Sequence, residues 1–188
     1  MSIKKLLMEV KKIFELSKIP QRIEVYDNSH TGNQNAIGAM ITAGVDGFIK
    51  SGYRKFNIKK IQEIDNPNRE IIKEGNDDTA MLEQVLLRRF SKLKSSEIPD
   101  FIIIDGGKGQ LTSAQKIFDQ LNLKIPFVCM SKGKNRNAGE EFFHQTNKES
   151  FTLEKNLAVM HYLQRLRDEA HRFAIMTHRK KRDKNMLQ

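Results

Sequence analysis

Most of the signals that place a chain outside the ordinary globular class are missing here. No apolar run in the 188 residues is long enough to span a bilayer, so no membrane partner is expected. The N-terminal stretch lacks the uninterrupted hydrophobic region of a signal peptide, because Lys4, Lys5, Lys11 and Lys12 break it every few positions. There is one cysteine, Cys129, so no intramolecular disulfide forms, and one thiol makes no zinc site. It stands in the apolar run 125–130 and reads as buried and inert. A cytoplasmic protein is the expectation. Internal repeats and low-complexity segments are also absent. The length suits one core and is small for two, so residues 1–188 read as a single domain.

Negative charge is in deficit. Lysine and arginine number 33 against 23 acidic residues, a net charge of +10. That balance suits a polyanionic partner, although ordinary surface lysines would also produce it. The placement of the charges decides more than their sum.

What is present is a regular alternation of elements. Leu6, Leu7, Val10, Ile13 and Phe14 recur at helical spacing, so residues 1–20 contain an amphipathic helix that stops before Pro20. Residues 22–27 form a short alternating strand closed by Asp27, followed by a loop with His30, Gly32, Asn33 and Asn35. An apolar strand over 36–43, a turn at Gly44, Asp46 and Gly47, and an alternating strand over 52–58 complete an antiparallel meander. Residues 62–76 are the most loop-like stretch, after which Asn76, Asp77 or Asp78 caps a helix running to about Lys94. A continuously apolar strand, 101–104, ends at Asp105 and leads through Gly106-Gly107-Lys108-Gly109 into a helix to about Leu121. Residues 126–130 are a second such strand, and 141–153 resemble a hairpin turning at Asn147-Lys148. A long basic helix spans roughly 157–179, and 180–188 read as a frayed basic tail. Strand, helix, strand, helix implies parallel pairing in the second half. The order βββαβαβ with a terminal helix is that of a ribonuclease H-like α/β fold. Its mixed five-stranded sheet would be an antiparallel meander followed by parallel strands.

Two carboxylates end strands, Asp27 and Asp105. Sites in open α/β sheets form beyond the carboxyl ends of strands. Converging carboxylates repel unless a cation binds them, and Mg²⁺ and Mn²⁺ favour such oxygen ligands. Either aspartate taken alone could simply cap a turn. The glycines after Asp105 are not a phosphate-binding P-loop, because no Gly-Lys-Ser/Thr follows them. Asp168-Glu-Ala-His171 has the letters of a helicase motif but falls inside a helical pattern, with no P-loop upstream. What remains is a helical histidine with Asp168 on the same face, placed to orient it. The last helix carries Arg165, Arg167 and Arg172, then Arg179, Lys180, Lys181 and Arg182. Arg54 lies beside Tyr53 on the meander, and Lys108 opens the helix after Asp105. These cations are the candidate DNA contacts, because clustered lysine and arginine neutralise phosphates without regard to sequence.

Several long stretches, in this order, resemble the UvrC nuclease region. They are Arg22-Ile-Glu-Val-Tyr-Asp27-Asn-Ser-His30-Thr, Tyr53-Arg-Lys-Phe-Asn-Ile58, Asp77-Asp78, Pro99-Asp-Phe-Ile-Ile-Ile-Asp105-Gly-Gly-Lys-Gly-Gln110 and Leu163-Gln-Arg-Leu-Arg-Asp-Glu-Ala-His171-Arg-Phe-Ala-Ile175. The resemblance implies a ribonuclease H-like endonuclease that uses Mg²⁺ or Mn²⁺ and makes the 5′ incision beside a DNA lesion in nucleotide excision repair. It places catalytic roles on Asp27, Asp105, His171 and Asp78, with Asp27 and Asp105 binding metal. Damaged duplex is the implied substrate, and UvrB the partner of the full-length family member. Residues 59–76 look longer than the family usually has there. No segment resembles the family's GIY-YIG domain, UvrB-binding module or helix-hairpin-helix domain, so an excised domain or a truncated gene product is expected. The alternatives are a catalytically silent DNA-binding or scaffolding domain and an RNA-directed hydrolase of the same fold.

Overall fold

Ser2 accepts a hydrogen bond from the Lys5 amide and caps the first helix, α1 (Ile3–Ile13), whose Leu6, Leu7 and Val10 are buried. The computed structural model describes residues 1–31, 35–58, 77–133 and 140–186, with backbone alone for 29–31, 35, 36, 77 and 177–186. The strands are β1 (Arg22–Thr31), β2 (Asn35–Gly44), β3 (Gly47–Phe48), β4 (Arg54–Ile58), β5 (Phe101–Asp105), β6 (Phe127–Lys132), β7 (Glu141–His144) and β8 (Phe151–Thr152). The remaining helices are α2 (Asp77–Phe90), α3 (Lys108–Gln120) and α4 (Ala158–Met186).

The sheet is mixed, with order β3-β2-β1-β5-β6-β7-β8 and β4 also paired to β2. β1, β5 and β6 are parallel, the last two as their apolar runs and the helix between them imply, and the other pairings are antiparallel. The expected α/β class and the meander are present, but the described strands number eight rather than five. Two short hairpins make the difference. Gly44 and Gly47 pair across a two-residue turn, Gly47 at φ 109°, and create β3. The 141–153 hairpin turns at Asn147, at φ 61°, and joins the edge of β6 because Phe143 and Phe151 stack on each other and pack against Phe14 of the core.

The alternation of β1 sorts the two layers. Ile23 and Val25 face α1 and α4, while Tyr26 faces α2 and α3. α2 is held to β1 by Arg89, which grips the fully buried Glu24 with two hydrogen bonds while Tyr26 donates a third. Lys116 of α3 reaches Glu83 of α2, and Phe90 packs on Phe118. α2 ends at Phe90, short of Lys94, because the chain turns to feed β5. α4 continues to Met186, beyond the frayed tail expected from 180, since no glycine or proline interrupts residues 158–186. Cys129 is buried in β6, and burial, with the charge of Asp105, pushes its thiol up to about 12. Its burial is what its setting in the sequence implied.

One polar clamp sets the centre of the sheet. The Asp100 carboxylate accepts from the Gln21 and Arg22 amides at 2.9 and 3.1 Å and pairs with Lys18 at 2.9 Å. The Asp100 amide donates to the Arg22 carbonyl at 2.9 Å. β1 and β5 therefore start level, and the register runs from Ile23 opposite Phe101 to Tyr26 opposite Ile104. Burial works against the ionised Asp100 carboxyl, but Lys18 and the two amides outweigh it and lower its pKa. A depressed carboxyl stabilises the fold above its unfolded pKa and loses that contribution as pH falls through the folded value. Asp100→Ala is expected to cost about 1 to 2 kcal/mol near neutrality. In urea titrations the gap to wild type should narrow below a pH of about 4. A gap that widens in acid would contradict the clamp.

Candidate active site

On β1, Asp27 follows Ile23 and Val25 on the face covered by α4. On β5, Asp105 follows Phe101 and Ile103 on the same face. One step beyond the last paired position, Tyr26 opposite Ile104, brings the two aspartates level on neighbouring parallel strands. Asp27 does not close its strand as expected. β1 runs on to Thr31 because β2 continues to pair with it through Asn35, whereas pairing with β5 ends here. Asp105 does end β5. At Gly106 the backbone has φ 158°, its amide donates to the Met130 carbonyl at 3.0 Å, and a Cβ there would lie 2.5 Å from Gln110 Cγ. Gln110 accepts from the Gly107 amide at 3.0 Å and so caps α3.

α4 supplies the roof. Leu163, Leu166, Ala170 and Ala174 are buried, which turns Arg167 and His171 toward the strand ends. His171 Nδ1 lies 3.0 Å from Asp27 Oδ2. Asp27 is only 5% exposed, while the His171 side chain is 60% exposed, so the ring links a buried carboxylate to solvent. Asp168 does not orient His171, as the helical spacing had suggested. It turns outward, 70% exposed, and pairs with Arg167 at 3.5 Å. The histidine's partner comes from the sheet because α4 is laid across it.

Burial first, and then the negative charge of Asp27, push Asp105 up to about 6, against the pull of Arg167, His171 and Lys132. Glu141 of β7 is a third acidic group on this face, two strands beyond Asp105. Glu141 is 4% exposed and accepts from Arg167, yet its Oε2 has no hydrogen-bond partner among the described residues. Nothing in the sequence marked Glu141 beyond its sharing a strand face with the buried Phe143. No cluster of three or more His, Cys, Asp or Glu arranged to hold a metal occurs among the described residues. The Asp27–Asp105 pair nevertheless fits Mg²⁺ or Mn²⁺ in donor chemistry. Such ions are held by one or two carboxylates together with water and substrate phosphate. The mutual repulsion of the pair is what a cation would relieve.

The other expected site residues are more scattered. Asp78 is exposed in the first turn of α2. That turn lies beside the start of α3, since Thr79 Cγ2 is 3.4 Å from where a Cβ on Gly109 would be. Lys108 is exposed at the same helix start. Arg54 is exposed and donates to the Ser51 and Tyr53 carbonyls. Arg165 is exposed over the Tyr162 ring, and Arg172 is exposed and pairs with Glu169. Arg167, grouped with these cations by sequence, is instead 12% exposed and held by Glu141. The side chains of Arg179, Lys180, Lys181 and Arg182, and the long stretch 59–76, lie outside the described residues.

A mixed α/β sheet with paired carboxylates on adjacent parallel strands, roofed by a helix carrying a histidine, defines a ribonuclease H-like domain. The chain belongs to the UvrC RNase H endonuclease domain family, which matches residues 11–175. It is similar to UvrABC system protein C of Wolbachia sp. subsp. Brugia malayi, at 51% identity over 95% of this chain and 28% of the relative. The same protein of Rickettsia typhi is 51% identical over 93% of this chain and 28% of its own length. The chain therefore spans little more than a quarter of these relatives. Among solved structures, Ciona intestinalis Endonuclease V in complex with an inosine-containing 24mer DNA aligns at TM-score 0.42 and 12% identity, over 70% of this chain and 54% of that one.

A carboxyl raised by folding binds more protons in the native state than in the unfolded state. Stability therefore falls as pH rises from about 4 toward 6, and the cost is complete above that. At pH about 7.5 the ion-free Asp105→Asn variant is expected to melt several degrees above wild type, for a relief on the order of 2 kcal/mol. At pH about 4.5, where Asp105 is largely protonated, calorimetry should show the two melting close together. Equal melting at both values would mean that ionised Asp105 carries no cost.

Proposed function

We propose that this domain is a divalent-metal-dependent endodeoxyribonuclease that makes the 5′ incision beside a lesion in nucleotide excision repair. The observation that carries the reading is the alignment of Asp27 and Asp105 on adjacent parallel strands, with His171 bonded to Asp27. Membership of the endonuclease family supports the reaction class. Asp27 Oδ1 and the Asp105 carboxylate would hold Mg²⁺ or Mn²⁺. Bound there, the ion supplies an activated water and neutralises charge on the phosphate under attack.

The protein's own groups do the rest. With His171 Nδ1–H donated to Asp27, Nε2 is left as an acceptor on the open side of the site. It is placed to take a proton from a water or to hold that water against the phosphate. Asp78, exposed in the first turn of α2, is the fourth residue that this reading assigns to catalysis. The exposed Lys108, Arg54, Arg165 and Arg172, with the basic end of α4, track the backbone of a damaged duplex. Lesion recognition, and the contact with UvrB, are assigned to other segments of the longer relatives.

Asp27→Ala and Asp105→Ala are each expected to abolish Mn²⁺-dependent nicking of supercoiled plasmid while DNA binding persists. His171→Ala should lower the nicking rate about 100-fold or more, with Mn²⁺ affinity nearly unchanged. Normal cutting by either aspartate variant would show that the site lies elsewhere. Loss of Mn²⁺ binding in His171→Ala would make the histidine a ligand instead.

Binding should weaken steeply with salt. Replacing Arg179, Lys180, Lys181 and Arg182 by Ala should reduce the slope of log K against log salt, by about 0.9 for each phosphate no longer neutralised. Fluorescence anisotropy on labelled duplex at several salt concentrations measures it. An unchanged slope would exclude that segment from the DNA contact.

A further inference from the structure

Among the described side chains of α4, Arg167 is the one arginine or lysine that the fold turns inward on the carboxylate face. α4 crosses the sheet obliquely. It touches β1 where His171 meets Asp27 and β7 where Arg167 meets Glu141. In the sheet order β1-β5-β6-β7, those two contacts bracket β5, the strand that ends in Asp105. Four residues of helix, a rise of about 6 Å, separate the two side chains. The guanidinium therefore lies on the β7 side of His171, and among the described cations it exerts the largest pull on Asp105.

Its hold is one-sided. Arg167 donates through Nη1 to Glu141 Oε1, and among the described residues its Nη2 reaches only the exposed Asp168. Glu141 Oε2 stays buried without a hydrogen-bond partner among the described residues. Glu141 shares the α4 face of the sheet with Asp27 and Asp105, two strands beyond Asp105, and Arg167 and Lys132 are the two permanent cations that act on Asp105. Sites that cut phosphodiesters with two ions place the second cation a few ångströms from the first, against the same carboxylates. Here a guanidinium stands on that side.

We propose that Arg167, anchored by Glu141, is a positioning residue that takes the place of a second cation and limits the site to one divalent ion. The inference rests on the metal-dependent reading above. Arg167 repels a second ion and weakens the hold on the first, while Glu141 keeps the guanidinium from collapsing onto Asp105. Neither residue needs to touch substrate.

The test counts Mn²⁺ bound at equilibrium to the intact chain, by the electron paramagnetic resonance of free Mn²⁺, with circular dichroism as a check of folding. Wild type should bind one ion. Arg167→Met should bind the first ion about tenfold more tightly and admit a second, held by Glu141. Arg167→Lys, which keeps the charge, should stay at one ion. Arg167→Met leaves a buried carboxylate unpaired, which endangers folding. The double variant Arg167→Met/Glu141→Gln removes that hazard. It should still bind the first ion more tightly but admit no second. Wild-type stoichiometry and affinity in the folded double variant, with binding lost in Asp27→Ala, would overturn the role of Arg167 and leave the nuclease reading intact. No binding by wild type would overturn the metal-dependent reading, and this inference with it.

Discussion

Everything at the site depends on a parallel register fixed five residues away. Arg22 and Asp100 face each other at the start of β1 and β5 and are bonded through both backbone and side chain. Five residues on, the same register delivers Asp27 and Asp105 side by side. A slip of one residue would turn one aspartate to the α2–α3 face, because strand side chains alternate. The clamp is polar and partly exposed, so it contributes modestly to stability. Its larger contribution is to exclude wrong alignments of two strands whose apolar residues would tolerate several.

The layers above and below that register divide the work. On one face, the buried Glu24 is fully matched by Arg89 and Tyr26, and this closed network holds α2 in place. On the other face, burial and the charge of Asp27 raise Asp105, and Glu141 keeps one oxygen without a hydrogen-bond partner among the described residues. A satisfied network rigidifies, whereas an unsatisfied one is costly and persists only where the surrounding packing enforces it. The contrast between two acidic groupings on opposite sides of one sheet separates scaffold from site without reference to any relative.

Much of this was legible beforehand. Asp27 and Asp105 stand out because a carboxylate among aliphatic strand residues is expensive, and the glycines after Asp105 announce the turn that exposes it. His171 was legible as a helical histidine but not its partner. Helical spacing reveals neighbours on the same helix, such as Asp168, and cannot report what a strand 144 residues earlier presents. Arg167 was grouped with the surface cations because composition shows charge and not burial. Glu141 carried no local signal, since its meaning arises only when β7 pairs with β6. The strand count fell short for a similar reason. β3 is two residues, too short for any periodicity, while β7 and β8 were read as the 141–153 hairpin but not as part of the sheet, which they join at the open edge of β6.

The uneven length of the strands has a geometric consequence. β1 and β2 continue four residues past Asp27, about 13 Å of hairpin, with β4 alongside, whereas β5 stops at Asp105. The sheet therefore ends in a step, and the carboxylates lie at its foot. A polymer laid along that step meets a wall on one flank and open strand ends on the other. Its two chain directions are then inequivalent before any base or lesion is read. Polarity, the distinction between one side of a phosphodiester and the other, is thus available from the outline of the backbone alone.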